Sequence, residues 1–257
     1  MKGLSLTPIV FIVVLFALLR GLSPFEAQTL GAQIWPLVLD FLVVAGLFAG
    51  AVGFESGDPP RRGWVLVTLS QLGIFIGHGL QVAELPHQQI IIAANVAWVV
   101  SIVLWVRNFG GSVLAPAWTP RSRLTVALLV LVAVGTATTG VTLEIQAQRA
   151  AELAQRKEAW DVAYTLVSTM SDAAVFIGAV FLVRLVMPMS GGAFARPYLL
   201  LCVSAAIYLS LDLSLIVTGH ASFAAFEGPL LKLAGLADGT SFAAGLAQAA
   251  LLRRASV

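Results

Sequence analysis

Protonatable and hydrogen-bonding side chains recur at helical spacing in three otherwise apolar segments of this sequence. They are Gln71, His78 and Gln81 in one segment, Asp161, Tyr164, Ser168 and Asp172 in another, and Ser204, Tyr208 and Asp212 in a third. Residues three, four or seven apart lie on one face of an α-helix, so each segment predicts a helix with a single polar stripe. We expect the three stripes to converge in the interior of a helical bundle.

Six residues form the candidate ligand-binding or proton pathway: His78, Asp172, Asp212, Tyr208, Gln71 and Asp40. An ionisable group within an apolar helix costs about 3 kcal/mol or more unless it faces protein or water, so each predicts a functional site. Asp172 and Asp212 carry most weight, because a carboxylate in the middle of an apolar segment needs a partner or a proton. Asp40 and His78 could instead be hydrogen-bonding groups at a helix end or between helices.

The composition predicts the environment of these residues. Of 257 residues, 59% are hydrophobic and only 11% are charged, whereas an ordinary soluble domain has about 25% charged residues. The chain therefore cannot supply the charged surface of a soluble fold. Its apolar stretches have the length of about 20 residues that crosses a bilayer. We predict one all-α domain over residues 1–257, a polytopic integral membrane helical bundle.

Hydropathy predicts eight transmembrane helices. They cover residues 4–21, 36–54, 64–83, 89–107, 123–143, 163–187, 197–218 and 229–252. Lys232 and Asp238 interrupt the last segment, which leaves a bundle of seven spans as the alternative. That segment is also rich in glycine and alanine, which permit close helix contact inside a bundle. Residues 143–160 are charged and predict a helix outside the membrane, with Glu152 four residues before Arg156.

The two halves of the sequence resemble each other at a fixed offset. Residues offset by 134 are Arg62 and Arg196, Trp64 and Tyr198, Ser70 and Ser204, and His78 and Asp212. Asp40 followed by Gly46 similarly matches Asp172 followed by Gly178. Because four spans return the chain to its starting side, this pattern predicts two parallel repeats of four helices. Chance matches in so biased a composition are the alternative explanation.

The distribution of basic residues predicts the orientation. Under the eight-span model, ten of the 15 Lys and Arg residues fall on the side of the chain termini. The excess predicts that both termini are cytoplasmic, in a plasma (inner) membrane. His78 and Asp212 then lie in the outer halves of their helices, and we expect a polar cavity that opens outward.

Several kinds of chemistry lack their usual residues. His78 with His87 or His220 could face a haem, and Glu84 with His87 could contact a metal, but neither set forms a recognised ligand pattern. The single cysteine, Cys202, excludes an internal disulfide. No hydrolase, metalloprotease, nucleotide-binding or prenyltransferase motif is present, which argues against an enzyme. The sequence has no dense basic patch, so nucleic-acid binding is not expected.

Covalent retinal is also disfavoured, although a bundle of seven spans raises the question. The stretch Leu211–Gly219 is similar to the last helix of microbial rhodopsins, in which an Asp precedes the Schiff-base Lys by four residues. Here that position is Ile216, and the tryptophan-rich cage is absent. The chain is therefore not assigned to that family.

These patterns favour a small-solute or proton-coupled transporter with an outward-facing polar cavity. One alternative is a non-catalytic anchor subunit of a membrane redox complex with a quinone-type pocket, and another is a seven-span ligand sensor or receptor. The expected partners are membrane lipid and either other membrane subunits or further copies of the chain. A complete transport pathway would also need polar groups in the cytoplasmic half, where the stripes thin out.

Overall fold

The computed structural model describes residues 6–22, 29–110, 119–120, 123–128, 130–135, 138, 142, 159–188, 194–218 and 223–255. Every regular element in these ranges is a helix. The helices are α1 Leu6–Gly21, α2 Leu30–Val52, α3 Arg61–Val82, α4 Gln88–Gly110, α5 Arg123–Gly135, α6 Ala159–Val186, α7 Arg196–Thr218 and α8 Phe223–Ala255. The predicted all-helical class is confirmed. The predicted charged helix at 143–160 lies outside the described residues, apart from the first turn of α6.

Four helices are long and apolar enough to cross a membrane. These are α2, α3, α4 and the part Leu166–Val186 of α6, while α1 and α5 are apolar but shorter. Large hydrophobic side chains on their outer faces are exposed, among them Phe11, Phe41 and Leu131. Exposed apolar faces of this kind suit contact with lipid rather than water. The chain is therefore a helical membrane protein, as its composition predicts.

Local sequence explains where the helices begin and turn. α2 starts at Leu30 rather than at residue 36, because the Oγ1 of Thr29 accepts a hydrogen bond from the backbone N–H of Ala32 at 3.3 Å. A threonine at this position satisfies one of the first free N–H groups of a helix. Between α3 and α4 the turn is tight, and Glu84 has a φ of 57°.

Six helices form a closed ring, in the order α2, α3, α4, α6, α7 and α8, with α8 packed back against α2. α1 packs outside the ring against α8 and, more lightly, against α2. Around the ring, three consecutive helices from the first half of the chain are followed by three from the second half. A ring of this kind encloses an interior that is shielded from lipid on all sides.

Glycines bring the backbones of α8 and its neighbours into direct contact. A Cβ atom on Gly245 would lie 2.0 Å from the carbonyl oxygen of Gly46 in α2. Gly235 and Gly239 face α1 in the same way, with hypothetical Cβ atoms 2.6 Å from the Phe16 carbonyl oxygen and 2.8 Å from the Val13 Cα. Small residues permit such close packing of membrane helices. The glycine-rich α8 is thus packed within the bundle.

Each half of the ring contains an equivalent hydrogen bond between two neighbouring helices. In the first half, the Ser70 hydroxyl on α3 donates to the Ala94 carbonyl of α4 at 2.7 Å. In the second half, the Ser204 hydroxyl on α7 donates to the Ala237 carbonyl of α8 at 2.9 Å. The matched serines are offset by 134 residues, and both sit fully buried. In each half the hydrogen bond connects the second and third ring helices, α3 with α4 and α7 with α8.

One end of the ring interior is filled by aromatic rings. We call this cluster the aromatic plug; it consists of Trp64, Trp105, Phe109, Phe194 and Tyr198. The Trp64 indole donates to the Tyr198 hydroxyl at 3.3 Å, and the Trp105 indole donates to the Pro60 carbonyl at 3.0 Å. The rings of Trp64, Trp105 and Tyr198 are fully buried. The plug therefore closes the ring at the end where α3 and α7 begin.

Candidate functional site

Beyond the aromatic plug, the ring encloses a polar cavity with a volume of about 150 Å³. Its walls are formed by Arg20, Asp40, Gln71, Ile74, His78, Ile91, Asn95, Trp98, Tyr164, Ser168, Asp172, Tyr208, Asp212 and Asp238. A volume of this size holds several water molecules or one small solute, since a water molecule occupies about 30 Å³ in the liquid. Along α3, Gln71 lies about 10 Å above Trp64 at 1.5 Å per residue.

All six residues of the predicted pathway line this one cavity. They come from four ring helices: Asp40 from α2, Gln71 and His78 from α3, Asp172 from α6, and Tyr208 and Asp212 from α7. Residues from all three polar stripes meet because α3, α6 and α7 each turn part of the stripe inward, whereas Gln81 is exposed and Ser204 bonds to α8. The structure thus brings together residues that are up to 172 positions apart in sequence, from Asp40 to Asp212.

One side of the cavity is a connected network centred on Arg20. The Nη1 of Arg20 donates to Asp40 Oδ1 and to Asp238 Oδ2, both at 2.7 Å. The other oxygen of Asp40 lies 2.7 Å from His78 Nδ1, and the other oxygen of Asp238 accepts a hydrogen bond from the Tyr208 hydroxyl. Arg20 is therefore the cation that joins α1 to both α2 and α8.

This network is shielded from solvent. The side chains of Arg20, Asp40 and Asp238 are 13%, 8% and 6% exposed, whereas that of His78 is 31% exposed. Charges that leave water at this depth require close partners, because burial removes their hydration. Arg20 supplies that partner to two carboxylates at once, and His78 supplies a second contact to Asp40.

The other side of the cavity holds two carboxylates without such a cation. Asp172 is 7% exposed and has no hydrogen-bond or ion-pair partner among the described residues. Asp212 accepts a hydrogen bond from the Ser168 hydroxyl at 3.3 Å, and within the described part of the chain no basic side chain is paired with it. A carboxylate removed from water without a basic partner among the described residues favours binding of a proton or of a cation.

The charges of the cavity are thus unevenly divided between its two sides. Four carboxylates face one guanidinium group and one imidazole. Arg20 forms ion pairs with Asp40 and Asp238, whereas Asp172 and Asp212 have no ion pair among the described residues. The remaining polar groups of the wall, including the Gln71 and Asn95 amides, are neutral. The cavity is therefore acidic on the side of Asp172 and Asp212.

Eight wall residues are not among the predicted pathway, although two of them, Tyr164 and Ser168, belong to a predicted polar stripe; the other six are Arg20, Ile74, Ile91, Asn95, Trp98 and Asp238. Arg20 lies at the end of the first predicted span, and Asp238 interrupts the eighth. Their opposite charges within two separate apolar segments are the signal that could have paired them. Trp98 is the one tryptophan that hydropathy places in the middle of a predicted span, and such a position indicates an interior rather than an interfacial side chain.

Of the residues weighed for cofactor chemistry, His78 lines the cavity, whereas Glu84 and His87 do not. His87 is in the turn between α3 and α4, where its Nδ1 contacts the Leu85 carbonyl oxygen at 3.0 Å, and His220 is outside the described residues. No group of three or more His, Cys, Asp or Glu side chains in the described ranges is placed to hold a metal ion. Cys202 is a half-buried thiol on α7.

Comparison with known proteins adds no family to these observations. No protein-family model, no curated protein and no solved structure matches the chain.

Proposed function

We propose that this chain is a membrane transporter that exchanges protons for a small monovalent cation, with Asp172 and Asp212 as the shared binding groups. The observation that carries the proposal is the cavity in which two carboxylates, the buried Asp172 and the half-buried Asp212, lack a cationic partner within the described residues. Each needs a positive charge in a low-dielectric site. A proton and a solute cation satisfy the same need, so binding of one displaces the other.

The wall chemistry favours an organic cation of the ammonium or guanidinium type. Dehydrated alkali-metal ions in membrane proteins are usually coordinated by carbonyl groups of unwound helices, whereas α6 and α7 run without a break past Asp172 and Asp212. An N–H-bearing cation needs only side-chain acceptors, which Asp172, Asp212 and Asn95 provide. The indole of Trp98, 3% exposed, supplies an aromatic surface of the kind that binds such cations.

Exchange requires that the cavity reach each side of the membrane in turn. The aromatic plug separates the cavity from the end at which α3 and α7 begin, so this end is the gate that must open toward the second side. Two repeats of four helices, related by an axis along the membrane normal, would move against each other about the cavity, as in other transporters with parallel repeats. The matched Ser70 and Ser204 contacts support this arrangement.

In the proposed transporter the chain has eight membrane spans. Four are the helices long and apolar enough to cross a membrane, α2, α3, α4 and α6, and the others are α1, α5, α7 and α8. Both termini are cytoplasmic in a plasma (inner) membrane, as the distribution of Lys and Arg favours. The plug then faces the cytoplasm and the cavity opens outward. This orientation accounts for the small number of polar side chains in the cytoplasmic half.

The test is exchange by the purified full-length chain in proteoliposomes that contain a trapped pH-sensitive dye. Guanidinium is a suitable probe because it stays protonated and does not cross lipid as a neutral base. Inward guanidinium should drive protons outward and raise the internal pH. Asp172→Asn and Asp212→Asn should each lower the initial rate by about 100-fold or more, because an amide cannot bind the exchanged proton.

Glu55→Gln is the matched control, because Glu55 is an exposed carboxylate in the loop before α3, away from the cavity. It should exchange at the unmodified rate. Absence of guanidinium-driven alkalinisation with the unmodified chain, or equal rates in the Asp172→Asn variant, contradicts the proposed function. Circular dichroism and gel filtration of each variant separate loss of exchange from loss of folding.

A second candidate is a quinone-binding anchor subunit, which the His78–Asp40 contact favours. Asp40 contacts Nδ1 of the imidazole, so the imidazolium form of His78 would donate from Nε2 to a quinone carbonyl. This function predicts a quinone absorption signal and additional subunits in protein purified gently from native membranes. A colourless single chain that catalyses exchange would exclude it.

A further inference from the structure

A second binding region lies at the end of the ring opposite the polar cavity, where α3 begins and α4 ends. Two adjoining clefts occupy this corner, with volumes of about 420 Å³ and 330 Å³, and they share Ser56, Arg62 and Leu104. We call the first the apolar cleft, because Val65, Leu66 and Leu104 form most of its wall. The second, the polar cleft, is lined by the loop 56–59 and the end of α4.

Three arginines converge on these clefts. Arg61 and Arg62 line the apolar cleft, and Arg62 and Arg107 line the polar cleft. None forms an ion pair with a carboxylate in the described part of the chain, and the Nε of Arg61 is buried without a hydrogen-bond partner there. The nearby Asp58 carboxylate instead accepts the backbone N–H of Glu55 at 2.9 Å. The corner therefore carries three arginines without an ion-pair partner among the described residues, against two carboxylates, Glu55 and Asp58, in the adjoining loop.

The loop that precedes two of these arginines is held in place by α4. The Asn108 side-chain amide donates to the Pro59 carbonyl at 2.8 Å, and the Trp105 indole donates to the Pro60 carbonyl at 3.0 Å. Trp105 belongs to the aromatic plug and is fully buried. These two hydrogen bonds fix the start of α3 against the end of α4, so the arginines sit on a fixed frame.

Below the arginines, both helices turn apolar side chains outward. On α3, Val65 and Leu69 are 38% and 51% exposed, at helical spacing from Arg62. On α4, Val103 and Val100 are 57% and 42% exposed, at helical spacing from Arg107. A molecule in the clefts thus meets guanidinium groups at one end and an apolar, lipid-facing strip at the other.

We propose that this corner is a specific binding site for an anionic phospholipid. The phosphate lies in the polar cleft against Arg62 and Arg107, and an acyl chain follows the apolar cleft along Val65 and Leu104. Guanidinium groups suit phosphate because their planar donors bind two oxygens at once. Basic pockets between membrane helices bind anionic headgroups for the same electrostatic reason. The site is separate from the polar cavity and does not depend on the proposed exchange.

The test uses the full-length chain in mild detergent and native mass spectrometry with titrated phosphatidylglycerol, and phosphatidylcholine as the neutral lipid. Phosphatidylglycerol should bind in preference to phosphatidylcholine. The double variant Arg62→Gln/Arg107→Gln should weaken this binding by about 30-fold, since each basic side chain at a membrane surface contributes a factor of about 5.5 and the two factors multiply. Arg123→Gln, which removes an exposed arginine at the start of α5, should bind as the unmodified chain does.

Melting temperatures provide the second measurement, which remains informative if a variant folds poorly. Phosphatidylglycerol should raise the melting temperature of the unmodified chain and leave that of the double variant unchanged. Equal lipid binding by the double variant and the unmodified chain would overturn the proposal. So would an equal stabilisation by inorganic phosphate alone, which would assign the corner to free phosphate instead of lipid.

Discussion

Replacing Arg20 with methionine is expected to destabilise the folded chain by about 3–5 kcal/mol, the cost of leaving a buried charge without its partner. Methionine retains most of the length of the side chain but removes the cation between Asp40 and Asp238. Both carboxylates are at least nine-tenths buried, so water cannot replace the lost contacts. The measurement is thermal unfolding in nanodiscs, where a loss of this size lowers the melting temperature by about 10 °C.

The matched variant removes the charges together. The triple substitution Arg20→Met/Asp40→Asn/Asp238→Asn should recover most of the stability, because no unpaired charge remains. Lower pH should also reduce the effect of Arg20→Met alone, since a protonated carboxyl needs no cation. If Arg20→Met melts within 2 °C of the unmodified chain, about the effect of 1 kcal/mol or less in a chain of this size, the network does not stabilise the fold.

Gly245→Ala is expected to destabilise the chain by about 3 kcal/mol, at the upper end of the usual cost of overpacking. The added methyl group would lie 2.0 Å from the Gly46 carbonyl oxygen and 2.3 Å from its carbonyl carbon. These atoms belong to the backbone of α2 and cannot rotate away, so the two helices must separate. Asp40 and Asp238 lie on these same two helices, and separation would weaken their shared contact with Arg20.

Gly79→Ala is the control for this substitution. Gly79 is also in a helix, but nothing lies within 4 Å of a Cβ atom built there. Alanine favours a helix over glycine by about 1 kcal/mol, so this variant should be as stable as the unmodified chain or more so. Unfolding temperatures of the two variants, measured side by side, separate close packing from helix propensity. Equal stability of both variants would contradict close contact between α2 and α8.

The side chains that share a helical face could be predicted from sequence with little ambiguity. Spacing alone placed Gln71 with His78, and Tyr208 with Asp212, because an α-helix returns to the same face every three or four residues. The cost of an ionisable group in hydrocarbon then predicted that these faces turn inward. All of these residues line one cavity in the structure. Whether they bind a proton or solute remains a prediction.

The identity of neighbouring helices could not be predicted in the same way. Periodicity describes one helix at a time and does not reveal that α1 and α8, from opposite ends of the described chain, pack side by side. Periodicity therefore leaves Arg20 at the end of the first predicted span, 4–21, and Asp238 as an interruption of the eighth. Only the pairing of Arg20 with Asp238, 218 residues away, explains both charges. The glycines of α8 predicted close packing but not its partners.

The pairing of α1 with α8 has a consequence for biogenesis. Synthesis delivers Arg20 and Asp40 to the membrane early, whereas Asp238 emerges more than 200 residues after Arg20. Until α8 arrives, the ring has an open side between α2 and α7, and the acidic cavity faces lipid. The growing chain therefore exposes a partly neutralised polar groove to lipid until α8 is inserted. Insertion factors and membrane proteases would recognise the chain during this interval.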